Sequence, residues 1–410
     1  MKNFKNLFIL MCLGLMISCT QEQNTTSEFQ WRGPNRDGIY PEKNLLDSWP
    51  EEGPELIWEY YDLGAGYSSV AIDGDKVITA GTTDSINYIY TFNKGGDLLW
   101  KKELGRAWTD TYLGIRSTPL IKDGKAYVFD GLGVMHCFNT EDGEIIWQRD
   151  LLTEYNVKNN QHGVHENLII DGNKLFCTLG GETTNIITMD KDTGETIWES
   201  KGLGELNAYC STNIITHNGV KYYITMTYNA LLAFEVETGK MAWSDELTER
   251  RYGIHANVPY YRDGKLFVIE GWKYGARMYN IAEDGQSVEL LWEFKNVDPQ
   301  MGDAIVIDDN IYIGSVMDRT NYCLDWNTGE VKFKTEDLGE GTFIAADDKL
   351  FLLTYKGEMA MLKAEDDKFL TLGKFKALGK KPNHFSQPVI HDGILYLRYN
   401  EMIKAFNIQK

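Results

Sequence analysis

Four of the seven histidines, His162, His165, His255 and His384, fall in or beside corresponding points of a repeating chain, where apolar strands begin. Tyr67 and Arg116 occupy two more of these points. An arginine, imidazoles and a phenol gathered in one place would suit β-elimination on a uronate sugar. Arg116 would neutralise the sugar carboxylate, and His165 or His255 would take the proton beside it. Tyr67 would protonate the leaving oxygen, with His384 orienting the group. Glu166, Asn167, Tyr209, Asn257 and Asp303 stand at the same strand starts, and Trp108 and Trp272 lie in adjacent loops. These are the expected substrate-binding residues, since aromatic faces stack on sugar rings while amides and carboxylates bond hydroxyls. Packing would select one residue type at every such point, and here the types differ. The bland alternative is a wet polar rim. The histidines also offer imidazoles to a divalent metal, but loop spacing fixes no geometry and no metal is assigned.

The elements that must position these residues follow a strict grammar. Apolar strands run into tight Asp/Asn turns at Asp73-Gly74, Asp123-Gly124, Asp171-Gly172, Asn218-Gly219, Asp263-Gly264, Asp309-Asn310, Asp347-Asp348 and Asp392-Gly393. Such residues tolerate the positive φ of hairpin turns. A second series, Trp58, Trp100, Trp147, Trp198, Trp243, Trp292, Phe333 and Phe375, recurs at spacings of 41 to 51 residues. A period of that size without long helical patterns predicts an all-β propeller, one supersecondary unit per blade. The recurrent tryptophan reads as a wedge between blades. The last repeat ends at Lys410 without a fourth strand, while Glu55–Tyr60 is a fourth strand with no preceding three. Together they complete one blade. The expectation is an eight-bladed ring, closed by the N-terminal strand pairing into the C-terminal blade, which removes exposed sheet edges.

Lys2 and Lys5 precede an apolar run, Leu7 to Ile17, too short to span a bilayer and ending at Ser18-Cys19. This pattern predicts a lipoprotein signal peptide over residues 1–18, lipidation at Cys19, a flexible tether over 19–30 and the propeller over 31–410. The lipid would attach the protein to the outer membrane, by default on its periplasmic side. Net charge is −19, which excludes non-specific nucleic-acid binding. Cys137, Cys177, Cys210 and Cys323 lack any metal or redox spacing and read as buried small hydrophobes.

The clearest copy of the repeat, Asp190-Lys191-Asp192-Thr193-Gly194-Glu195-Thr196-Ile197-Trp198, resembles the tryptophan-docked blade of the PQQ-like eight-bladed propellers. Trp31-Arg32-Gly33-Pro34-Asn35-Arg36-Asp37-Gly38 resembles the lead-in of bacterial secreted members. The resemblance covers residues from about 31 to 410. It implies the fold, and it admits several functions: quinoprotein dehydrogenases, BamB-like outer-membrane assembly scaffolds and others. A dehydrogenase would need PQQ and a calcium cage, for which Glu166, Asn167 and Asp303 are the available ligands. The adjacent cysteines and large insertions of those enzymes are missing here, so no cofactor is expected. Two readings remain. The first is a lipid-anchored enzyme of the carbon-oxygen lyase type acting on an acidic oligosaccharide. The alternative is a non-enzymatic scaffold that grips an outer-membrane protein partner.

Overall fold

A computed structural model of the protein describes residues 28–247, 253–379 and 384–410. Residues 1–18, Cys19 and most of the expected tether lie outside the described residues. Eight antiparallel sheets follow one another around a ring: blade 1 over Ala71–Arg106, blade 2 over Leu120–Asp150, blade 3 over Ile169–Ser200 and blade 4 over Asn213–Glu246. Blade 5 spans Tyr260–Phe294, blade 6 Ala304–Thr335, blade 7 Gly341–Lys376 and blade 8 Val389–Asn407. Glu55–Tyr60 pairs antiparallel with Met402–Asn407 and supplies the outer strand of blade 8, so the ring closes as the repeat implies.

Local turn chemistry explains why the strands reverse where they do. Five of the first turns carry two consecutive positive-φ residues, among them Asp123-Gly124, Asn218-Gly219 and Asp347-Asp348. That is the geometry that matches strand twist. Three turns sit one residue away from the expected position. The pairs Asp73↔Lys76, Asp171↔Lys174 and Ile307↔Asn310 place them at Gly74-Asp75, Gly172-Asn173 and Asp308-Asp309.

Trp58, Trp100, Trp147, Trp198 and Trp292 each lie on a glycine of the next blade, whereas Gly285, the counterpart for Trp243, meets Tyr222. At Gly96 (φ +90°) a Cβ would come within 2.5 Å of the Trp58 ring, so no side chain fits. The Trp58 indole N–H then donates to the Lys94 carbonyl at 2.9 Å. Trp147, Trp198 and Trp292 repeat the bond to Lys191, Val236 and Trp326. The four cysteines outside the N-terminal segment are free and buried.

The lead-in segment does something the repeat does not foretell. Glu28–Phe29, inside the stretch read as a tether, pairs with Ile121–Lys122 of blade 2. Ile39–Tyr40 runs parallel to Ala345–Ala346 of blade 7. Between them the chain enters the central channel. Arg32 bonds the Ala304 carbonyl of blade 6 at 2.7 Å and Gln387 beside blade 8 at 3.1 Å. Arg36 reaches the Asn167 and Leu168 carbonyls at 2.7 and 2.8 Å, leading into blade 3. Residues 30–38 are therefore a plug bolted to several blades.

Candidate functional site

The plug gives the channel a floor. Trp31 is buried there, with the Arg32 and Arg36 guanidinium carbons 5.8 and 5.9 Å from its ring centroid. Above it opens a cleft of about 380 Å³ on the face where the inner strands begin. Tyr67, Arg116, His165, Glu166, Asn167, Tyr209 and Trp272 all line it, as their positions at strand starts and in a neighbouring loop led us to expect.

One wall is a ladder of rings. His162 lies between Tyr112 and Tyr209, at 5.4 and 6.1 Å between centroids, and His165 stacks on Tyr209 at 6.1 Å. Arg116 ties this wall together. Its Nη1 donates to the His162 carbonyl at 3.0 Å and faces His165 Nε2, while Nη2 donates to the Tyr112 carbonyl at 2.6 Å. Burial, then the neighbouring Arg116 charge, holds the His165 pKa well below the usual imidazole range, so the ring is neutral at neutral pH. Its Nε2 also lies 2.8 Å from the His162 carbonyl, so either tautomer engages that nitrogen. Nδ1 is buried without a polar partner among the described residues.

The remaining expected residues lie elsewhere. His255 is buried away from the cleft, its backbone N–H donating to the Ala208 carbonyl at 2.8 Å. His384 is also buried and packs on Tyr399 at 4.0 Å between centroids. It sits against Gly357, where a Cβ would come within 2.8 Å of Nε2. Trp108 backs the ladder wall, bonding Thr111 at 3.1 Å and packing over Gly131 and Gly163. Among the described residues, no three His, Cys, Asp or Glu side chains gather closely enough to hold a metal ion.

Asn257 and Asp303 have a structural task that also engages Asn167. Asn167 Oδ1 accepts the Thr118 N–H at 2.8 Å, and Asp303 Oδ2 accepts the Val258 N–H at 3.0 Å. Thr118 Oγ1 in turn accepts the Ser69 N–H at 2.9 Å. Each reaches back to the preceding strand start and fastens blade to blade. Asn257 accepts the Asp303 N–H and donates to the Gln300 carbonyl, both at 3.1 Å. Different residue types thus perform one repeated job, which is why their variation looked like a site. Glu166 is fully engaged too, accepting from Thr178 N–H at 2.7 Å, the Tyr223 hydroxyl at 3.0 Å and the Thr212 hydroxyl at 3.1 Å. Burial pushes its pKa up to about 7 against these bonds and the Arg36 charge.

Sequence reasoning missed Trp31, Ser117, Ile254, Gln300 and Met301 as lining residues, while Tyr112, Ser211 and Phe385 fall in the loops and strand entries it placed at the mouth. Ser117 was in reach, because it too precedes an inner strand. Trp31 was not, since nothing in the repeat sends the lead-in through the channel.

The chain has relatives among known proteins. The family model described as outer membrane protein assembly factor BamB matches residues 85–335. The chain belongs to that family. It is 25% identical to the outer membrane protein assembly factor BamB of Shewanella oneidensis over 236 residues, 53% of this chain and 55% of that protein. It is 26% identical to a quinohemoprotein alcohol dehydrogenase of Comamonas testosteroni over 270 residues, 58% of this chain and 35% of that one. The chain thus spans about half or less of the length of these curated relatives. The crystal structure of BamB from Moraxella catarrhalis superposes with a TM-score of 0.62 at 11% identity, covering 86% of this chain and 99% of that one, a likeness of fold.

Proposed function

We propose that this protein is a non-catalytic scaffold in outer-membrane protein assembly, tethered to the membrane through a lipid on Cys19 and facing the periplasm. The observation that carries this reading is the use made of the polar strand starts. Asn167, Asn257 and Asp303 fasten neighbouring blades, and His255 and His384 are packed away from the cleft. A ring of mutually fastened blades results, and of the five residues expected to be catalytic only Tyr67, Arg116 and His165 line the cleft. Family membership supports the same reading. The elimination chemistry expected from the sequence finds no support in the relatives, and two of its five residues do not line the cleft.

We assign no quinone cofactor. Its calcium cage would need Glu166, Asn167 and Asp303 to converge, but Asp303 does not line the cleft and is held beside Arg32. The oxygens of Glu166 and Asn167 already accept protein hydrogen bonds.

The test is affinity purification of the full chain from cells after cross-linking, with Cys19→Ser as the control for anchoring. Recovery of outer-membrane assembly proteins by the wild type, reduced when the anchor is removed, is expected. Absence of such partners, together with release of unsaturated uronate from acidic oligosaccharides, would overturn the scaffold in favour of the lyase.

A further inference from the structure

One charged group in the cleft is not explained by the fastening of the ring. Arg32 has Asp303 at 3.6 Å, and Arg36 lies in the field of Glu166. Arg116 is half-buried, is bonded to two carbonyls and a histidine, and has no acidic partner among the described residues. Burial lowers its pKa, and among the described residues Tyr67, Tyr209 and Tyr112 act in the opposite direction. Arg398 also lacks an acid among the described residues, but it is fully buried, bonded to the Ser68 and Asn400 carbonyls, and does not line the cleft. A guanidinium beside a partly desolvated cleft attracts an anion more strongly than it would in open water.

The walls around it are strained in a telling way. Tyr112, Tyr209, Trp272 and Gln300 all line the cleft with left-handed backbone, at φ of 41°, 66°, 46° and 50°. Each such residue costs on the order of 1 kcal/mol and persists only where its surroundings enforce it. Trp272 is held by its N–H on Asp298 at 2.9 Å, and Tyr209 by its N–H on Asn207 at 2.8 Å. The fold thus sets the backbone of three aromatic residues that line the same cleft as Arg116. The volume lies at the lower end of the roughly 300–1,000 Å³ found for ligand pockets. Gln300, Ser211 and His162 are interspersed with the rings, which suits a hydroxylated ring more than a flat aromatic acid.

We propose that the cleft binds a small sugar acid, its carboxylate on Arg116 and its ring face against an aromatic wall. This goes beyond the scaffold reading and does not depend on it, because binding requires neither a partner nor catalysis. The test is a tryptophan-fluorescence titration of the full chain in detergent with digalacturonate, with lactose as neutral counterpart and PQQ as flat aromatic acid. Digalacturonate should bind at least about tenfold more tightly than lactose or PQQ, the worth of one charged hydrogen bond. Arg116→Met should lose that margin while Arg116→Lys keeps part of it. Trp272→Ala, which leaves the Arg116 carbonyl bonds intact, should weaken both sugars alike. Equal affinity for acidic and neutral sugars, undiminished binding by a folded Arg116→Met, or preference for PQQ would each overturn the proposal. If Arg116→Met does not fold, full insensitivity of digalacturonate binding to Trp272→Ala overturns it instead. Loss of the assembly partners in the pull-down would leave the titration unchanged, so the two readings fail separately.

Discussion

The perimeter and the channel of this ring are built on opposite principles. At the perimeter one contact, an aromatic ring over a glycine, recurs from blade to blade with small variations. In the channel no single residue type recurs, although Thr118, Asn167 and Asp303 repeat one clamp. A single non-repeating segment carries two arginines to carboxylates from different blades, Arg32 to Asp303 of blade 6 and Arg36 towards Glu166 of blade 3. Repetition spreads stability over many similar contacts, so each is individually tolerant of change. The channel concentrates buried charge at a few unique points, where losing one partner strands the other.

The sharpest contrast should come from Arg32→Ala. The Arg32 and Asp303 side chains are only 1% and 4% exposed, so removing the cation leaves a buried carboxylate uncompensated. A loss of roughly 3–5 kcal/mol is expected, read from the denaturant midpoint. A loss below that of a perimeter substitution would mean the plug is not a structural bolt.

Glu166 gives a test by pH. Its folded pKa of about 7 stands above the usual carboxylate value, so the folded state holds the proton more tightly. Its stabilising contribution is full below pH 4.5 and is lost as pH rises towards and through 7, to a total of roughly 3 kcal/mol. The groups acting on it are Arg36, Tyr223, Thr178 and Thr212, with Cys177 and Cys210 also in its field. His165, with its lowered pKa, contributes the opposite slope as pH falls through 6.5. Because His165 is present in both proteins, the difference in melting temperature between wild type and Glu166→Gln isolates the carboxylate. The variant should lose the decline between pH 4.5 and 7, and parallel curves would refute the assignment.

The smallest effect belongs to the perimeter. Trp58→Phe should cost about 1–2 kcal/mol, mainly the indole bond to Lys94 and some ring volume. Phe333 and Phe375 already occupy the same place in blades 6 and 7, and Phe375 covers Gly53 as the tryptophans cover theirs. A loss matching that of Arg32→Ala would erase the distinction between the two regions.

Much of the fold was legible because it rests on local signals. Asp/Asn-Gly turns, alternating strands and a tryptophan at fixed spacing each act within a few residues, and eight copies reinforce one another. The three turns displaced by one residue show the grain of that reading, since Asp73 and Asp171 serve as the last paired residue and not as turn residues. The candidate site was legible only in part. Strand starts do converge on one face, which brings Tyr67, Arg116, His165 and Tyr209 together. Sequence position could not tell an inner-strand residue facing the cleft from one packed between blades, as His255 and His384 are.

By itself the sequence determined the number of blades, their boundaries and the closure of the ring by Glu55–Tyr60, because hairpin turns and strand patterning are short-range physics. Only the tertiary structure decided what the ring encloses. The course of Trp31–Gly38 through the channel depends on contacts between residues more than a hundred positions apart, while the clamping role of Asn167, Asn257 and Asp303, and the lack of an acid beside Arg116 among the described residues, depend on which side chains meet where neighbouring blades touch. Those contacts are set by where eight blades leave room and charge unfilled, and no periodicity along the chain encodes that.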